Sequence, residues 1–123
     1  IEKNGNAKAL LFLAHWCNYC QKEVPVMQEY IDVVGIPDGI EVIAVATSID
    51  RARDNYPPHD WLAREGWSAT QLYDLDKEIA TAYGLNAFPY WVFLDKEFNV
   101  VARQTGNISE NIVLAQLVQL ANQ

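Results

Sequence analysis

Two short apolar runs with a helix-period stretch between them leave this chain few folds to choose from. The first is Ala9-Leu10-Leu11-Phe12-Leu13-Ala14, and the second is Ile40-Glu41-Val42-Ile43-Ala44-Val45-Ala46-Thr47. Six apolar residues are too few for a helix of their own, and the second run is rich in β-branched residues with a single charge. Both read as central strands buried on two faces. From Cys17 to about Val34 the pattern turns helical, with Val24, Met27, Ile31 and Val34 on one stripe and Gln21, Lys22, Gln28, Glu29 and Asp32 off it. Pro25 is predicted to kink this helix, and Gly35, Pro37 and the Asp38-Gly39 turn to end it. Strand, helix, strand in that order is a right-handed crossover in a parallel sheet.

The remainder of the chain adds smaller pieces. Residues 48–60 are the least regular; Asp60 is predicted to cap a short helix through Glu65 that stops at Gly66, with Trp61 and Trp67 packing it onto the body or, as the alternative, one of them lining a binding surface. Thr70–Tyr73 reads as a brief edge strand, and Asp76 as the cap of a helix running to Tyr83 and ended by Gly84. The apolar strand Tyr90–Leu94 is led by Pro89, which cannot donate to a ladder and so belongs at a strand's first residue, where an X-Pro bond is a candidate for cis. Asp95–Asn99 form a turn into Val100–Thr105, broken by Gly106. Asn107 or Ser109 then caps a last amphipathic helix with Leu114, Leu117, Val118 and Ala121 inward. With 123 residues, no repeat and no linker, the expectation is a single domain spanning 1–123 that needs no disulfide staples.

Both cysteines, Cys17 and Cys20, are therefore free for chemistry, and they stand where the first strand gives way to its helix. A static disulfide across two residues would remove little unfolded-state entropy. A zinc site would need four ligands, and only His15 and His59 could complete one. A redox dithiol is the better reading, because a thiol at a helix start meets unpaired N–H groups and the positive end of the dipole. The dipole contributes about 0.3–1 kcal/mol, or ~2 when partly buried, against about 1.4 kcal/mol per pKa unit. It therefore moves a thiol by little more than one unit, and larger depression needs hydrogen bonds to the sulfur.

Sixteen acidic against nine basic residues, a net charge of −7, argue against nucleic acid and against anchoring on anionic lipid. No stretch approaches a membrane span and no signal-peptide pattern is present. A start at Ile1 rather than Met is read as the loss of an upstream segment.

The order strand, Trp-Cys-x-x-Cys helix, strand, helix, Pro-led strand, hairpin, helix resembles the thioredoxin fold over nearly the whole chain: a central mixed β-sheet flanked by helices, with an insertion around residues 50–70. Within that superfamily, Trp16-Cys17-Asn18-Tyr19-Cys20-Gln21-Lys22-Glu23-Val24-Pro25, with the later run Asp76–Asp95, is similar to the TlpA/ResA-like thiol-disulfide oxidoreductases. That resemblance implies Cys17 as the attacking cysteine and Cys20 as the resolving one. It implies Glu23 beneath the dithiol assisting proton transfer, and Pro89 as a cis-proline with the Phe88 backbone offered to an extended substrate. Trp16 and Tyr19 complete the expected substrate-binding set. The redox-active disulfide is the only cofactor implied, the partners are protein thiols and disulfides with an unidentified electron donor or acceptor upstream, and the chain is expected to be an extracytoplasmic monomer. Leu11 stands where thioredoxin carries a buried aspartate, so Glu23 is the acid left near the pair. Its bland alternative is a solvated helix residue paired with Lys22 or Lys8. His15 is either a positive charge beside Cys17 or an exposed bystander, and His59 a loop residue.

Asn18-Tyr19 supplies no cation to hold a thiolate, and the family implied is dominated by reductants, including those that keep apocytochrome c cysteines reduced. The expected Cys17 pKa is about 6–8 and the potential nearer about −270 mV than the ~−120 mV of a strong oxidant. An oxidant or isomerase of secreted proteins is the alternative within the class. A non-catalytic binding module using a Trp16, Phe88, Tyr90 and Trp91 surface is the alternative outside it.

Overall fold

The computed structural model describes residues 1–105 and 110–122. Five strands form one sheet: β1 (Ala7–Leu13), β2 (Ile40–Ala46), β3 (Thr70–Tyr73), β4 (Tyr90–Leu94) and β5 (Val100–Thr105), in spatial order β3-β2-β1-β4-β5. β1, β2 and β3 run parallel; β4 pairs antiparallel with β1 and with β5. The sheet is therefore mixed, with the two continuous apolar runs side by side at its centre.

Alternation along the strands sends side chains to two cores. Leu11 and Leu13 of β1, Val42 and Ala44 of β2, and Trp91 and Phe93 of β4 lie on one face. That face is covered by α1 (Asn18–Val34), α2 (Pro58–Arg64) and α4 (Glu110–Ala121). Leu10, Phe12, Ile43, Val45, Tyr90 and Val92 lie on the other, under α3 (Glu78–Ala82). Coverage on both faces is the reason neither run alternates with polar residues.

The fold departs from expectation at helix boundaries and stripes. α1 keeps its expected length with Pro25 inside it, on the exposed side. Its buried set is Cys20, Glu23, Val24, Met27 and Gln28, while Val34 is open to water. Gln28 is inward because it has partners there: its Oε1 accepts from Ser68 N–H at 2.9 Å and its Nε2 donates to Ser68 Oγ at 2.9 Å. α2 starts at Pro58, so Asp60 lies inside its first turn and is not its cap. For α3 the cap is Asp74 and not Asp76. The buried Asp74 carboxylate accepts from Ile79 N–H at 3.1 Å and Ala80 N–H at 2.9 Å. In α4 the inward residues are Val113, Leu117 and Leu120, whereas Val118 and Ala121 face solvent. Gly106, Asn107 and Ser109, read as break and cap, lie outside the described residues. Trp61 and Trp67 are buried in the α1-side core, as packing residues.

Candidate active site

β1 ends at Leu13, and the next four residues carry the chain across the C-terminal edge of the sheet into α1, which places His15, Trp16 and Cys17 together at the strand-to-helix turn. Cys17 is the N-cap of α1, with φ −82° and ψ 123°, and its Sγ accepts the Cys20 N–H at 3.3 Å. One of the orphan N–H groups of the first turn thus points at the sulfur. Cys17 is partly exposed, while Cys20, one turn along, is fully buried. Burial pushes the Cys20 thiol well above the ordinary thiol range, and Cys17 and Glu23 push the same way; a backbone contact with Ala14 opposes them. One thiol can meet a partner and the other can meet only Cys17.

Glu23 lies one turn further along α1, 2% exposed, and its Oε2 accepts from the Trp91 indole N–H at 3.0 Å. The solvated alternative does not hold, and of the two lysines expected as partners Lys8 is fully buried and pairs with Glu41 at 2.7 Å, while Lys22 lies 5.6 Å from the Tyr19 ring. Trp91 was missed as part of this arrangement. The alternation of β4 was the available signal, since residues 91 and 93 share a face with Leu11 and hence with α1.

The Phe88–Pro89 bond is cis and Pro89 is buried. The Phe88 ring meets the Trp16 ring edge-on at 5.9 Å between centroids, so the head of β4 comes against the cysteine motif. Tyr19 stands out from the surface, with the Lys22 ammonium 5.6 Å from its ring. The aromatic surface of Trp16, Phe88, Tyr90 and Trp91 does not exist as such: Tyr90 is 2% exposed with its hydroxyl donating to Tyr83 C=O, and Trp91 is 0% exposed. They occupy the two cores on opposite faces of the sheet.

His15 is neither an exposed bystander nor a cation. It is 1% exposed; its Nε2 accepts from Asp50 N–H at 3.1 Å and its Nδ1 bonds Asp54 C=O. A nitrogen that accepts has no proton, so the ring is the neutral Nδ1–H tautomer. His59 lies in the first turn of α2, where its Nδ1 faces Gln71 Oε1 at 3.2 Å. Neither imidazole is directed at the thiols. Sequence spacing gave no signal for the 48–55 loop, which returns to the motif: Trp16 Nε1 donates to Ser48 C=O at 2.9 Å and the Arg53 guanidinium lies over the Trp16 ring at 4.1 Å.

A mixed five-stranded sheet with helices on both faces, and a partly exposed N-cap cysteine beside a buried one, define a thioredoxin-fold dithiol protein. The family model for the thioredoxin-like domain matches residues 1–121, and the chain belongs to that family. Within it the chain is TlpA/ResA-like. It is 26% identical over 110 residues to the thiol-disulfide oxidoreductase ResA of Bacillus subtilis, covering 89% of this chain and 58% of that protein. To ResA of Geobacillus thermodenitrificans it is 25% identical over 113 residues, covering 92% and 62%. The chain thus spans about three fifths of the length of these relatives. Among solved structures, StoA of Bacillus subtilis superposes with a TM-score of 0.78 at 18% identity, over 92% of this chain and 83% of that one.

Proposed function

We propose that this protein is a thiol-disulfide oxidoreductase that passes two electrons from its Cys17/Cys20 dithiol to a disulfide in a protein partner. The observation that carries the reading is the asymmetry of the pair: Cys17 partly exposed, capping α1 and accepting an N–H, and Cys20 fully buried one turn below. The Cys17 thiolate attacks one partner sulfur; the partner S–S bond breaks, its second sulfur leaves as a thiolate and takes a proton, and a mixed disulfide forms. Cys20 then gives up its proton and attacks Cys17 Sγ. The Cys17–Cys20 disulfide closes and the second partner sulfur leaves as a thiol.

Glu23, buried in the same helix and held by Trp91, is the acceptor we assign for the Cys20 proton. Resemblance to ResA supports the reaction class and an extracytoplasmic reductant, with apocytochrome c cysteines as the first substrate to try. No helix among the described residues is long and apolar enough to cross a membrane.

Cys20→Ser tests the reaction. It removes the only group placed to resolve the intermediate, so mixed disulfides between Cys17 and partner proteins are expected to accumulate; if none form while Cys17 still alkylates, the catalytic reading falls. A glutathione redox titration followed by tryptophan fluorescence tests the direction, with Trp16 beside Cys17 and Trp91 bonded to Glu23 as reporters. A midpoint near about −270 mV is expected, and one above about −170 mV, on the oxidising side of the glutathione buffer of secretory compartments, makes the protein an oxidant or isomerase.

A further inference from the structure

A partner disulfide that reaches Cys17 enters a cleft of about 650 Å³ with two walls of separate origin. Trp16, Cys17 and Tyr19 of the motif line one; Ala52, Arg53 and Asp54 of the 48–55 loop line the other. The loop is tied down at several points. Trp16 Nε1 holds Ser48 C=O, the His15 ring spans Asp50 N–H and Asp54 C=O, and Asn55 Nδ2 donates to His15 C=O at 3.2 Å. Its second wall is therefore built before a partner arrives, which lowers the ordering cost of any contact it makes.

Arg53 has a particular posture on that wall. Its guanidinium lies over the Trp16 indole at 4.1 Å, its Nε is 3.8 Å from Asp50 Oδ2, beyond hydrogen-bond range, and its side chain is about half exposed. The contact seats the guanidinium on the Trp16 ring and, with Nε turned to Asp50, leaves its terminal N–H groups to meet an acceptor such as a carboxylate. Charge supports the same conclusion. In a chain of net charge −7, the rings on either side of Cys17 each carry a cation, Arg53 on Trp16 and Lys22 on Tyr19. Of the nearby anions, Asp50 turns one oxygen to Ala52 N–H at 2.9 Å and the other toward Arg53, while Asp54 lines the cleft.

We propose that Arg53 is a specificity-determining residue that takes the carboxylate of an Asp or Glu next to the partner's attacked half-cystine, and that His15 is the positioning residue holding its loop in place. The proposal rests on the oxidoreductase reading and adds a substrate class to it: protein disulfides flanked by acidic residues.

The test uses two peptides, each with one internal disulfide and identical except for Glu or Lys beside the half-cystines. The readout is the ratio of their second-order rate constants with the reduced protein, which cancels any change in the reactivity of Cys17 itself. Wild type is expected to favour the Glu peptide by roughly fivefold, the yield of one exposed ion pair of about 1 kcal/mol. That preference is expected to fade in about 1 M salt, where the screening length is about 3 Å. Arg53→Ala is expected to bring the ratio to one, and Arg53→Glu to invert it; the half-exposed side chain makes both safe for folding. His15→Leu is expected to lower the ratio like Arg53→Ala. His15→Gln, whose amide can accept from Asp50 and donate to Asp54, is expected to restore it. A wild-type ratio of one, a preference for the Lys peptide, or a ratio unchanged in Arg53→Glu overturns the assignment of Arg53 and leaves the oxidoreductase reading standing. Failure of wild type to react with either peptide overturns both. A folded His15→Leu variant that keeps the wild-type ratio removes His15 from the positioning role.

Discussion

Glu23→Gln removes both a charge and a proton acceptor from beneath Cys20, and the two losses push the resolving step in opposite directions. Loss of the charge eases ionisation of Cys20, but Glu23 is the smallest of the causes that raise that thiol, and burial is the largest. Loss of the acceptor leaves a buried thiol to give its proton to water it does not touch. The second effect is expected to win, slowing resolution of the mixed disulfide by roughly a hundredfold, the lower end of what positioned proton transfer contributes. Gln keeps the Trp91 hydrogen bond, so stability is expected to change little. Stopped-flow exchange between pH 6 and 8 checks this, and rates equal to wild type would remove Glu23 from the reaction.

The start of α3 is set by a carboxylate that the chain pattern does not single out. Asp76 is nearer the start of α3 and looks like its cap, yet Lys77 takes a left-handed φ of 59° and the chain turns so that Asp74 faces the helix end. Asp74→Ala is expected to cost about 1 kcal/mol, up to ~2 because the side chain is buried, and Asp76→Ala to stay within about 0.5 kcal/mol. Urea unfolding of the two variants separates them; equal losses would return the cap to Asp76. α4 carries the same lesson for stripes: helical spacing fits Leu114, Leu117 and Val118 at i, i+3, i+4 as well as Val113, Leu117 and Leu120 at i, i+4, i+7, and only the sheet beneath chooses the second.

Lys8 and Glu41 stand side by side in register on the two central strands, Lys8 fully buried and Glu41 at the edge of solvent, so the pair ties the parallel half of the sheet to the pH of its surroundings. The Lys8 ammonium, by its hydrogen bond, holds the Glu41 carboxyl below its ordinary value of 4.5. A carboxyl lowered on folding contributes stability that is complete above that ordinary value and is lost as pH falls through the depressed one. Unfolding midpoints are therefore expected to fall below about pH 4.5, and Glu41→Gln to flatten that acid limb. At neutral pH the same variant leaves a buried ammonium with neutral acceptors, the substituted amide oxygen and Asn4 Oδ1 at 2.6 Å, and no counter-charge. It is expected to cost about 2 kcal/mol, less than a fully buried pair because Glu41 keeps contact with water. Midpoints by circular dichroism from pH 3 to 8 check both, and an acid limb unaltered by Glu41→Gln assigns it to other carboxylates.

The apolar runs, the cysteine pair at their junction and the proline before β4 were legible from residue order because each rests on local chemistry: burial on two faces, a helix start, a missing N–H. Glu23 could be named from the motif, but its companion Trp91 is 68 residues away and meets it only because β4 joins the sheet beside β1. His15 was misread for a related reason. Its hydrogen-bond partners are on a loop 35 to 39 residues further on, and an imidazole's charge depends on what its two nitrogens meet. Short-range spacing records periodicity and helix ends. Contacts between distant segments, which here set the tautomer of His15, the posture of Arg53 and the burial of Glu23, are decided when the sheet and its insertion close on each other.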